Sequence, residues 1–397
     1  MSPPTTELGP VVILGAGYAG VAVCHEVRKA GHARITSIVV DRHPSHTIRT
    51  RLYEVGRLAE SQGRSERWSV PIDQVLAHDK ARFLAGEVTS IDLAGRTVSV
   101  GSEKVAFGAL AICLGNVAAY YGIPGAEAHT EQVYRFQGAV QLAEKLKGLA
   151  RAASSPGARP PRIAVVGGGS TGTELAAEIA TTNWSKVVGA PSARMEVTMI
   201  VGAVPFLAGM PDPLVRHARD LLEKAKVRVV PSLNVARVDP GVLTLQDGQR
   251  IEADVVVWCA GLAAPEIVRN LPVHHGKGGR IAVDSHLQIE GFPGVFAVGD
   301  SAEVRDPATG LLVPGTAQAA LAEAPIAGHN AVAYLTKKPL ATFQYKERGM
   351  VVEVGRGRGA GRFARISIWG RPAALLKAAV DAEYATAVGR GRQPPGL

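Results

Sequence analysis

The chain has 397 residues, too many for one ordinary hydrophobic core, and this length predicts two or three domains. Apolar residues make up 46% of it, yet no apolar run reaches the roughly 18–20 residues of a membrane-spanning helix, and no basic-then-apolar leader opens the chain. A cytoplasmic protein is expected. The net charge of +9 comes with 5% aromatic residues and no nucleic-acid-binding motif, which argues against a nucleic-acid partner.

A strand, a glycine turn and a helix are predicted at the start of the chain. The apolar run 11–14 precedes a G-x-G-x-x-G turn, and a helix is expected over about 18–30. The glycines of this turn are Gly15, Gly17 and Gly20. The next strand, over 35–40, leads to Asp41, 21 residues after the turn, where the Rossmann pattern has a carboxylate that binds ribose. This segment is predicted to bind a dinucleotide, although Asp41 alone also fits a turn residue.

The middle of the chain repeats the arrangement after a linker. Several short strands are predicted between 82 and 112, and residues 151–161 are rich in Pro, Ser and Gly. The run 163–166 then precedes a second turn of the same spacing and a helix over about 171–181 that carries Glu174. The glycines of the second turn are Gly167, Gly169 and Gly172. Two such turns predict two dinucleotides in one protein, the layout of an enzyme that passes electrons between them.

The second turn lacks one part of the pattern. The strand predicted at 195–201 ends on Val201, followed by Gly202 and Ala203. Neither the carboxylate typical of NAD sites nor the arginine typical of NADP sites follows it. The choice between NADH and NADPH therefore stays open, and so does an altered nicotinamide site.

Further along, a buried strand leads to Gly299 and Asp300. A carboxylate at a strand end suits a polyol chain, although Gly-Asp also favours a simple turn. An alanine-rich helix is then expected from about 316 to 335. The three cysteines, Cys24, Cys113 and Cys259, lie in apolar runs without a C-x-x-C pair, so we expect small buried side chains, and no metal site is predicted.

The C-terminal segment is basic, with ten Lys and Arg against four Asp and Glu over residues 346–397. Strands are predicted at 350–354 and 366–369 with an Arg/Gly-rich turn between them, and a helix over 372–388. The charge suits an anionic membrane surface, an acidic partner or a solvated face. An i+4 stripe on the helix suits the core, a dimer partner or a membrane. The stripe consists of Leu376, Val380, Tyr384 and Val388.

With these motifs the chain resembles the type II NADH dehydrogenases (NADH:quinone oxidoreductases), among the flavoproteins with two dinucleotide-binding domains. The resemblance runs from about Val11 to Gly389. It is carried by VVILGAGYAG and VVD, RLYEVG (51–56), GEVTSIDL (86–93), YGIPGAE (121–127), VVGGGSTGTELAAEIA (165–180), VVVWCAGL (255–262), GVFAVGD (294–300) and TAQAALAEA (316–324). YGIPGAE and TAQAA are the more specific pieces. The basic tail is shorter than the aromatic-rich, membrane-docking C-terminus typical of that group.

The resemblance implies an α/β fold with two Rossmann-like domains. The FAD-binding domain would be discontinuous, over residues 1–120 and 285–340, with the NAD(P)-binding domain inserted at 155–275. Residues 341–397 would form a C-terminal α+β segment.

The resemblance also implies roles for single residues. The FAD diphosphate and ribose would be held by Gly15, Gly17, Gly20 and Asp41, with His46 and Arg51 in a loop close to the flavin. Gly299 and Asp300 would hold the ribityl chain. Ala317 and Gln318 would border the isoalloxazine and a quinone pocket. Gly167, Gly169 and Gly172 would approach the nicotinamide dinucleotide. Glu174 and Gln318 are the candidate catalytic residues, Glu174 as a positioning or proton-relay group.

The function implied is hydride transfer from NAD(P)H through FAD to a quinone-like acceptor. Two alternatives stay open. One is a specialised flavin-dependent dehydrogenase or oxidase of a small organic substrate with a weakened second site, motivated by Val201 and the short tail. The other is a flavin- or nucleotide-sensing protein that binds a partner through the basic tail. Sulfide:quinone chemistry is disfavoured because no reactive cysteine pair is evident. Peripheral contact with the inner face of a membrane and a homodimer are further open expectations.

Overall fold

The computed structural model describes residues 8–32, 34–61, 63–79, 81–190 and 193–392. Most of the N-terminal segment on which the leader expectation rests lies outside these residues. No helix within the described ranges is long and apolar enough to cross a membrane.

Strands and helices alternate through most of the chain. The strands, in chain order, are β1 (Val11–Leu14), β2 (Ser37–Asp41), β3 (Ser45–Thr47), β4 (Ser69–Pro71), β5 (Arg82–Ala85), β6 (Val88–Asp92), β7 (Thr97–Val100), β8 (Glu103–Ala106), β9 (Ala109–Ile112), β10 (Val117–Ala118), β11 (Arg162–Val166), β12 (Glu196–Ile200), β13 (Arg228–Val230), β14 (Val235–Asp239), β15 (Val242–Leu245), β16 (Arg250–Glu252), β17 (Val255–Trp258), β18 (Leu262–Ala263), β19 (Ile281–Ala282), β20 (Val295–Ala297), β21 (Ala302–Glu303), β22 (Gly349–Glu353), β23 (Gly359–Phe363) and β24 (Ile366–Gly370). The helices are α1 (Tyr18–Lys29), α2 (Val55–Glu60), α3 (Ile72–Val75), α4 (Phe136–Ala152), α5 (Ser170–Thr181), α6 (Trp184–Val188), α7 (Asp212–Lys224), α8 (Glu266–Arg269), α9 (Ala317–Leu335) and α10 (Arg371–Gly389), with short 3-10 helices at Arg49–Arg51, Lys277–Gly279 and Gly299–Ser301.

Five parallel strands form the first sheet, in the order β20-β9-β1-β2-β5. Strands β1, β9 and β20 are continuous apolar runs with every residue buried, the pattern of a parallel sheet that is covered on both faces. Helix α1 packs against α9 beside this sheet. Since β20 comes from far along the chain, the first unit is built from two separated segments.

Four parallel strands form the second sheet, in the order β13-β12-β11-β17. Helix α5 follows the glycine turn after β11 and packs on β11 and β12. The two parallel sheets with their helices are the predicted α/β arrangement. Their strands lie within the segments expected for the two cofactor units, and the boundaries of those segments stay a prediction.

The C-terminal segment is an antiparallel sheet, β22-β23-β24, against which α10 packs. The prediction of an Arg/Gly-rich turn between its outer strands was wrong, because Gly359–Phe363 is the central strand. Its glycines and alanine lack the β-branched signal by which strands are recognised. Glycine is required there, since a Cβ on Gly361 would lie 2.6 Å from the Met350 carbonyl oxygen of the paired strand.

The apolar stripe of α10 faces the interior of the molecule. Tyr384 and Val388 are 1% and 0% exposed and belong to the core of the first sheet. Leu376 and Val380, two turns and one turn before Tyr384, border a cavity. Core packing, one of the three open readings of this stripe, therefore accounts for its C-terminal half.

Candidate active site

One cavity of about 890 Å³ lies where the two glycine turns and the C-terminal segment meet. The start of α1 reaches it from the first turn through Tyr18, and the start of α5 reaches it from the second through Thr171. Further walls come from the segment 298–300, the start of α9, and α10. Because both turns open onto this space, molecules bound at the two turns can meet there.

The outer glycines of the two turns are required by the fold itself. They are Gly15 and Gly20 in the first turn, and Gly167 and Gly172 in the second. A Cβ on any of the four would collide with a backbone carbonyl group. Gly15 and Gly167 also have positive φ angles, 100° and 123°, which residues with a side chain rarely adopt.

The middle glycines, Gly17 and Gly169, are not required by contacts within the protein. A Cβ on Gly17 or Gly169 would have no protein atom within 4 Å. Both residues have a φ of −78° and stand at the N-cap of their helix. Protein packing gives no reason for glycine there, whereas the close approach of a phosphate to a helix N-terminus does. The space at each turn therefore fits a dinucleotide.

Asp41 stands at the end of β2, beside the first turn. Its Oδ2 accepts the backbone N–H of Ala16 at 2.8 Å, and its Oδ1 accepts that of His43 at 2.8 Å. The carboxylate thus fixes the turn, and each oxygen keeps a lone pair for a ribose hydroxyl. His46 lies behind the same turn, where its ring nitrogens contact the Ala16 carbonyl oxygen at 2.8 Å and the Tyr384 hydroxyl at 3.0 Å.

Asp300 lies on the cavity wall, as expected for a strand-end carboxylate. Its Oδ2 accepts Nδ2 of Asn116 at 2.5 Å and lies 3.7 Å from the Arg49 guanidinium. Beneath it, the buried Glu323 accepts the N–H of Gly299 at 2.7 Å. Burial raises the pKa of Glu323 to about 8, although the Gly299 N–H opposes the shift. Asn116 and Arg49 were not predicted from the sequence.

The arginine of the 49–51 segment that reaches the cavity is Arg49, not Arg51. Arg51 is buried, and its guanidinium contacts the Arg67 carbonyl at 3.4 Å and the Asp381 carboxylate at 4.0 Å. Arg51 therefore does not line this cavity, and its predicted contact with the cofactor stays a prediction. Both arginines belong to one 3-10 helix, and sequence spacing alone does not indicate which of them faces the cavity.

Glu174 lies on α5 in the cavity wall and is 6% exposed. Its Oε1 accepts the N–H of Glu353 at 3.1 Å and lies 3.2 Å from the Lys377 ammonium. Burial raises the pKa of Glu174 to about 7, although Lys377 and the Glu353 N–H lower it. The carboxyl group can therefore exchange a proton near neutral pH.

Lys377 and Asp381 bring α10 into the site, and the sequence analysis assigned neither. They are one helical turn apart, with Nζ 3.9 Å from Oδ2. Oδ1 of Asp381 accepts the Thr50 hydroxyl at 2.8 Å. Burial opposes the charge of Lys377, but the carboxylates of Glu174 and Asp381 more than offset it and raise its pKa. The i,i+4 spacing of lysine and aspartate is the signal in the sequence that could have indicated them.

Ala317 and Gln318 both line the cavity at the start of α9. Oε1 of Gln318 accepts the Tyr345 hydroxyl and the N–H of Arg348, each at 3.2 Å. These bonds fix the amide oxygen toward the C-terminal segment. Opposite, the cavity is lined by apolar side chains of the C-terminal segment and of the loop before α9, among them Leu311, Phe363 and Val380.

The three cysteines are free and buried. Of the three cysteines, all of which are described, Cys113 alone borders the cavity. Burial raises the pKa of its thiol. A thiol that stays protonated is a poor nucleophile, so cysteine chemistry gains no support from this site.

Residues 9–324 match the pyridine nucleotide-disulphide oxidoreductase family. The chain belongs to this family. It is 30% identical to the demethylphylloquinone reductase NdbB of Synechocystis over 92% of this chain and 89% of that protein. It is 28% identical to a type II NADH:quinone oxidoreductase of Staphylococcus saprophyticus over 94% of each.

Two solved structures have the same fold as this chain. NDH2 from Plasmodium falciparum in complex with NADH has a TM-score of 0.81 at 15% identity, over 98% of this chain and 99% of that one. A sulfide:quinone oxidoreductase from Aquifex aeolicus has a TM-score of 0.79 at 19% identity, over 98% and 93%. The predicted fold class and the resemblance to the type II NADH dehydrogenases are confirmed.

The two kinds of turn glycine predict opposite phenotypes. Gly17→Ala should lower the free energy of unfolding of the apoprotein by about 1 kcal/mol or less, because its methyl group meets no protein atom. It should nevertheless lose the bound flavin. Gly20→Ala should cost about 1–3 kcal/mol, because its methyl group meets the Gly15 carbonyl. Urea unfolding and the flavin absorbance of purified protein measure both effects; a fully yellow Gly17→Ala protein would contradict the assignment.

Proposed function

We propose that this protein is an FAD-dependent oxidoreductase that transfers electrons from NAD(P)H to a quinone. The observation that carries the proposal is the single cavity onto which both glycine turns open. The relatives named as NADH:quinone oxidoreductase and demethylphylloquinone reductase match almost the whole chain and support the same conclusion. The family match likewise supports the expected cofactors, FAD and NAD(P)H.

Residues of the first turn and of the adjoining cavity wall fit FAD. Gly17 would admit its diphosphate, Asp41 would accept a ribose hydroxyl, and Asp300 would accept hydroxyls of the ribityl chain. Arg49 would offset the charge of Asp300. When bound, FAD would supply a two-electron carrier between nicotinamide and acceptor, so no side chain needs to form a covalent bond.

The C-terminal side of the cavity suits a quinone. Its apolar side chains can surround a ring or an isoprenoid chain, and Gln318 presents a fixed polar group beside them. A quinone takes up protons as it is reduced, so the acceptor site needs a proton source. Glu174, whose pKa lies near 7, is a cavity group that can hold and supply those protons, and the adjacent Lys377 ammonium balances its charge when it is ionised.

The proposal is tested by reducing the flavin of the purified holoprotein without oxygen. NADH or NADPH should bleach the flavin absorbance, and a soluble short-chain quinone should restore it, both within the turnover range of roughly 1–10³ s⁻¹ that enzymes show. If neither nucleotide bleaches the flavin, the dehydrogenase function is refuted. Bleaching without reoxidation by quinone would point to another acceptor.

The proton role of Glu174 predicts a pH dependence. The group is protonated below about pH 7 and ionised above it, so the rate of flavin reoxidation by quinone should fall as the pH rises through that value. Glu174→Gln should remove this inflection and slow reoxidation about 10²–10⁴-fold at neutral pH. Stopped-flow measurements of flavin reoxidation between pH 5.5 and 9 give this pH dependence. Glu144→Gln, at an exposed glutamate, is the matched control and should keep the inflection. An inflection that persists in Glu174→Gln would assign the proton to another group.

We further propose that the tip of the C-terminal sheet contacts an anionic membrane surface. Phe363 and Ile366 are 42% and 66% exposed and face each other across the turn from β23 to β24. Arg365 within that turn is also exposed. Apolar side chains next to basic ones are the composition of a peripheral membrane contact. Since Phe363 also borders the cavity, a lipid-soluble quinone would have a short path to the site.

This contact is tested with point variants, because removing α10 would also remove Lys377 and Asp381 from the site. The double variant Phe363→Asp and Ile366→Asp should reduce cosedimentation with phosphatidylglycerol vesicles at least about tenfold. Val204→Asp, at an apolar residue that is 70% exposed elsewhere, is the control and should bind like the parent protein. Equal binding by both variants would rule out this surface.

A further inference from the structure

The two sheets put equivalent residues at the ends of their second strands. In the first sheet, the carbonyl of Val40 accepts the N–H of the first turn glycine at 2.7 Å. In the second sheet, the carbonyl of Ile200 accepts the corresponding N–H at 2.8 Å. Asp41 and Val201 follow these residues directly, so they occupy the same position in the two units.

The side chains at this position differ in what they can do. The Asp41 carboxylate accepts the N–H groups of Ala16, in the turn, and of His43, two residues beyond the strand end. Val201 is 4% exposed and packs on Gly168, on which a Cβ would lie 2.8 Å from Cγ1 of Val201. An apolar contact therefore replaces the first of the two hydrogen bonds.

A hydrogen bond to Asn234 takes the place of the second one, the bond from the His43 N–H to Asp41. Asn234 follows β13, the strand beside β12, and its Oδ1 accepts the N–H of Ala203 at 3.0 Å. Ala203 is two residues after Val201, as His43 is two residues after Asp41. The asparagine also occupies the space beside Gly202, where a Cβ would lie 2.5 Å from its Oδ1.

The amide nitrogen of Asn234 carries two N–H groups, of which one has a protein acceptor. Nδ2 of Asn234 donates to Oε1 of Gln246 over 3.3 Å, and the residue is half-buried at the sheet edge. Among the described residues, no carboxylate is hydrogen-bonded to Ala203, Asn234 or Gln246. The nearby Asp247 accepts the N–H of Gln249 in its own turn at 2.9 Å.

An amide and a carboxylate treat the 2′ substituent of a ribose differently. A carboxylate accepts hydrogen bonds from the hydroxyls and repels a phosphate. An amide carries no charge, and its N–H groups donate to a hydroxyl oxygen or to a phosphate oxygen.

We infer that Asn234 contacts the adenosine ribose of the second dinucleotide, and that the site therefore accepts the 2′-phosphate of NADPH as well as the 2′-hydroxyl of NADH. The inference rests on the proposed function, which places a nicotinamide dinucleotide at the second turn. It makes Asn234 a specificity-determining residue in the loop after a neighbouring strand, outside the glycine motif.

Calorimetry on the FAD-loaded protein tests the inference with two probes that differ only in the 2′-phosphate, adenosine 5′-monophosphate and adenosine 2′,5′-bisphosphate. For the parent protein the two dissociation constants should lie within about tenfold of each other. Asn234→Asp keeps an acceptor for the Ala203 N–H and adds a negative charge. It should weaken bisphosphate binding about tenfold relative to the monophosphate.

Asn183→Asp is the matched control. Asn183 caps α6 by accepting the N–H of Lys186, beyond the end of α5 that lies away from the turn. The added charge there should leave the ratio of the two affinities unchanged. A parent protein that prefers the monophosphate by more than about tenfold overturns the inference, and so does an unchanged ratio in Asn234→Asp.

Flavin bleaching on the same samples separates this inference from the proposed function. Bleaching by both NADH and NADPH supports both. Bleaching by NADH alone overturns the role of Asn234 and leaves the proposed function standing. If neither nucleotide bleaches the flavin, the proposed function fails and the inference fails with it.

Discussion

The contact between Glu174 and Lys377 joins parts of the molecule that are far apart in the chain. Both side chains are largely buried, and their charged atoms lie 3.2 Å apart. A buried ammonium or carboxylate is costly without a partner, so α10 and α5 are held in one relative position. Asp381 extends the contact to Thr50 of the first unit. The cavity keeps its shape because a helix of the basic tail closes it and binds both cofactor units.

A second set of charges holds the same three parts together away from the cavity. Arg57 of α2 lies 3.5 Å from Glu178 of α5 and 2.9 Å from Glu353 of β22, and Arg356 lies 3.0 Å from Glu178. The helices approach so closely that a Cβ on Gly56 would lie 2.8 Å from Glu178 Oε1. Such a network stabilises the contact between these elements more than isolated surface pairs would, because Arg57 and Glu178 each contact at least two charged partners. Of the ten cations of the basic tail, Arg356 and Lys377 are thus half-buried and paired with carboxylates inside the molecule, whereas seven others are exposed.

The features that the sequence predicts are those set by residues close together in the chain. The glycine turns, Asp41 and Asp300 are identified as candidates by a fixed spacing or a strand end, and their contacts with a cofactor stay predictions. Arg49, Asn116, Lys377 and Asp381 were missed because each has a partner far away in the chain: the bond from Arg49 to Asn116 spans 67 residues, and that from Thr50 to Asp381 spans 331. The i,i+4 spacing of Lys377 and Asp381 does not by itself indicate these distant contacts. The central strand Gly359–Phe363 was missed for a related reason. Its conformation is imposed by the strands on either side, and its own residues favour a turn.

The second glycine turn keeps the backbone geometry of the first, although no carboxylate stands at the end of its second strand. Both turns have the same backbone geometry at the middle glycine, with φ of −78° and ψ of −166° and −177°. In the first unit Asp41 makes two hydrogen bonds: it accepts the N–H of Ala16 in the turn and the N–H of His43 after the strand end. In the second unit, Val201 packs on Gly168 of the turn, and Asn234 accepts the N–H of Ala203 after the strand end. The phosphate-binding geometry is thus kept without a negative charge, so the feature that usually selects NADH can change while the turn that binds the dinucleotide stays intact.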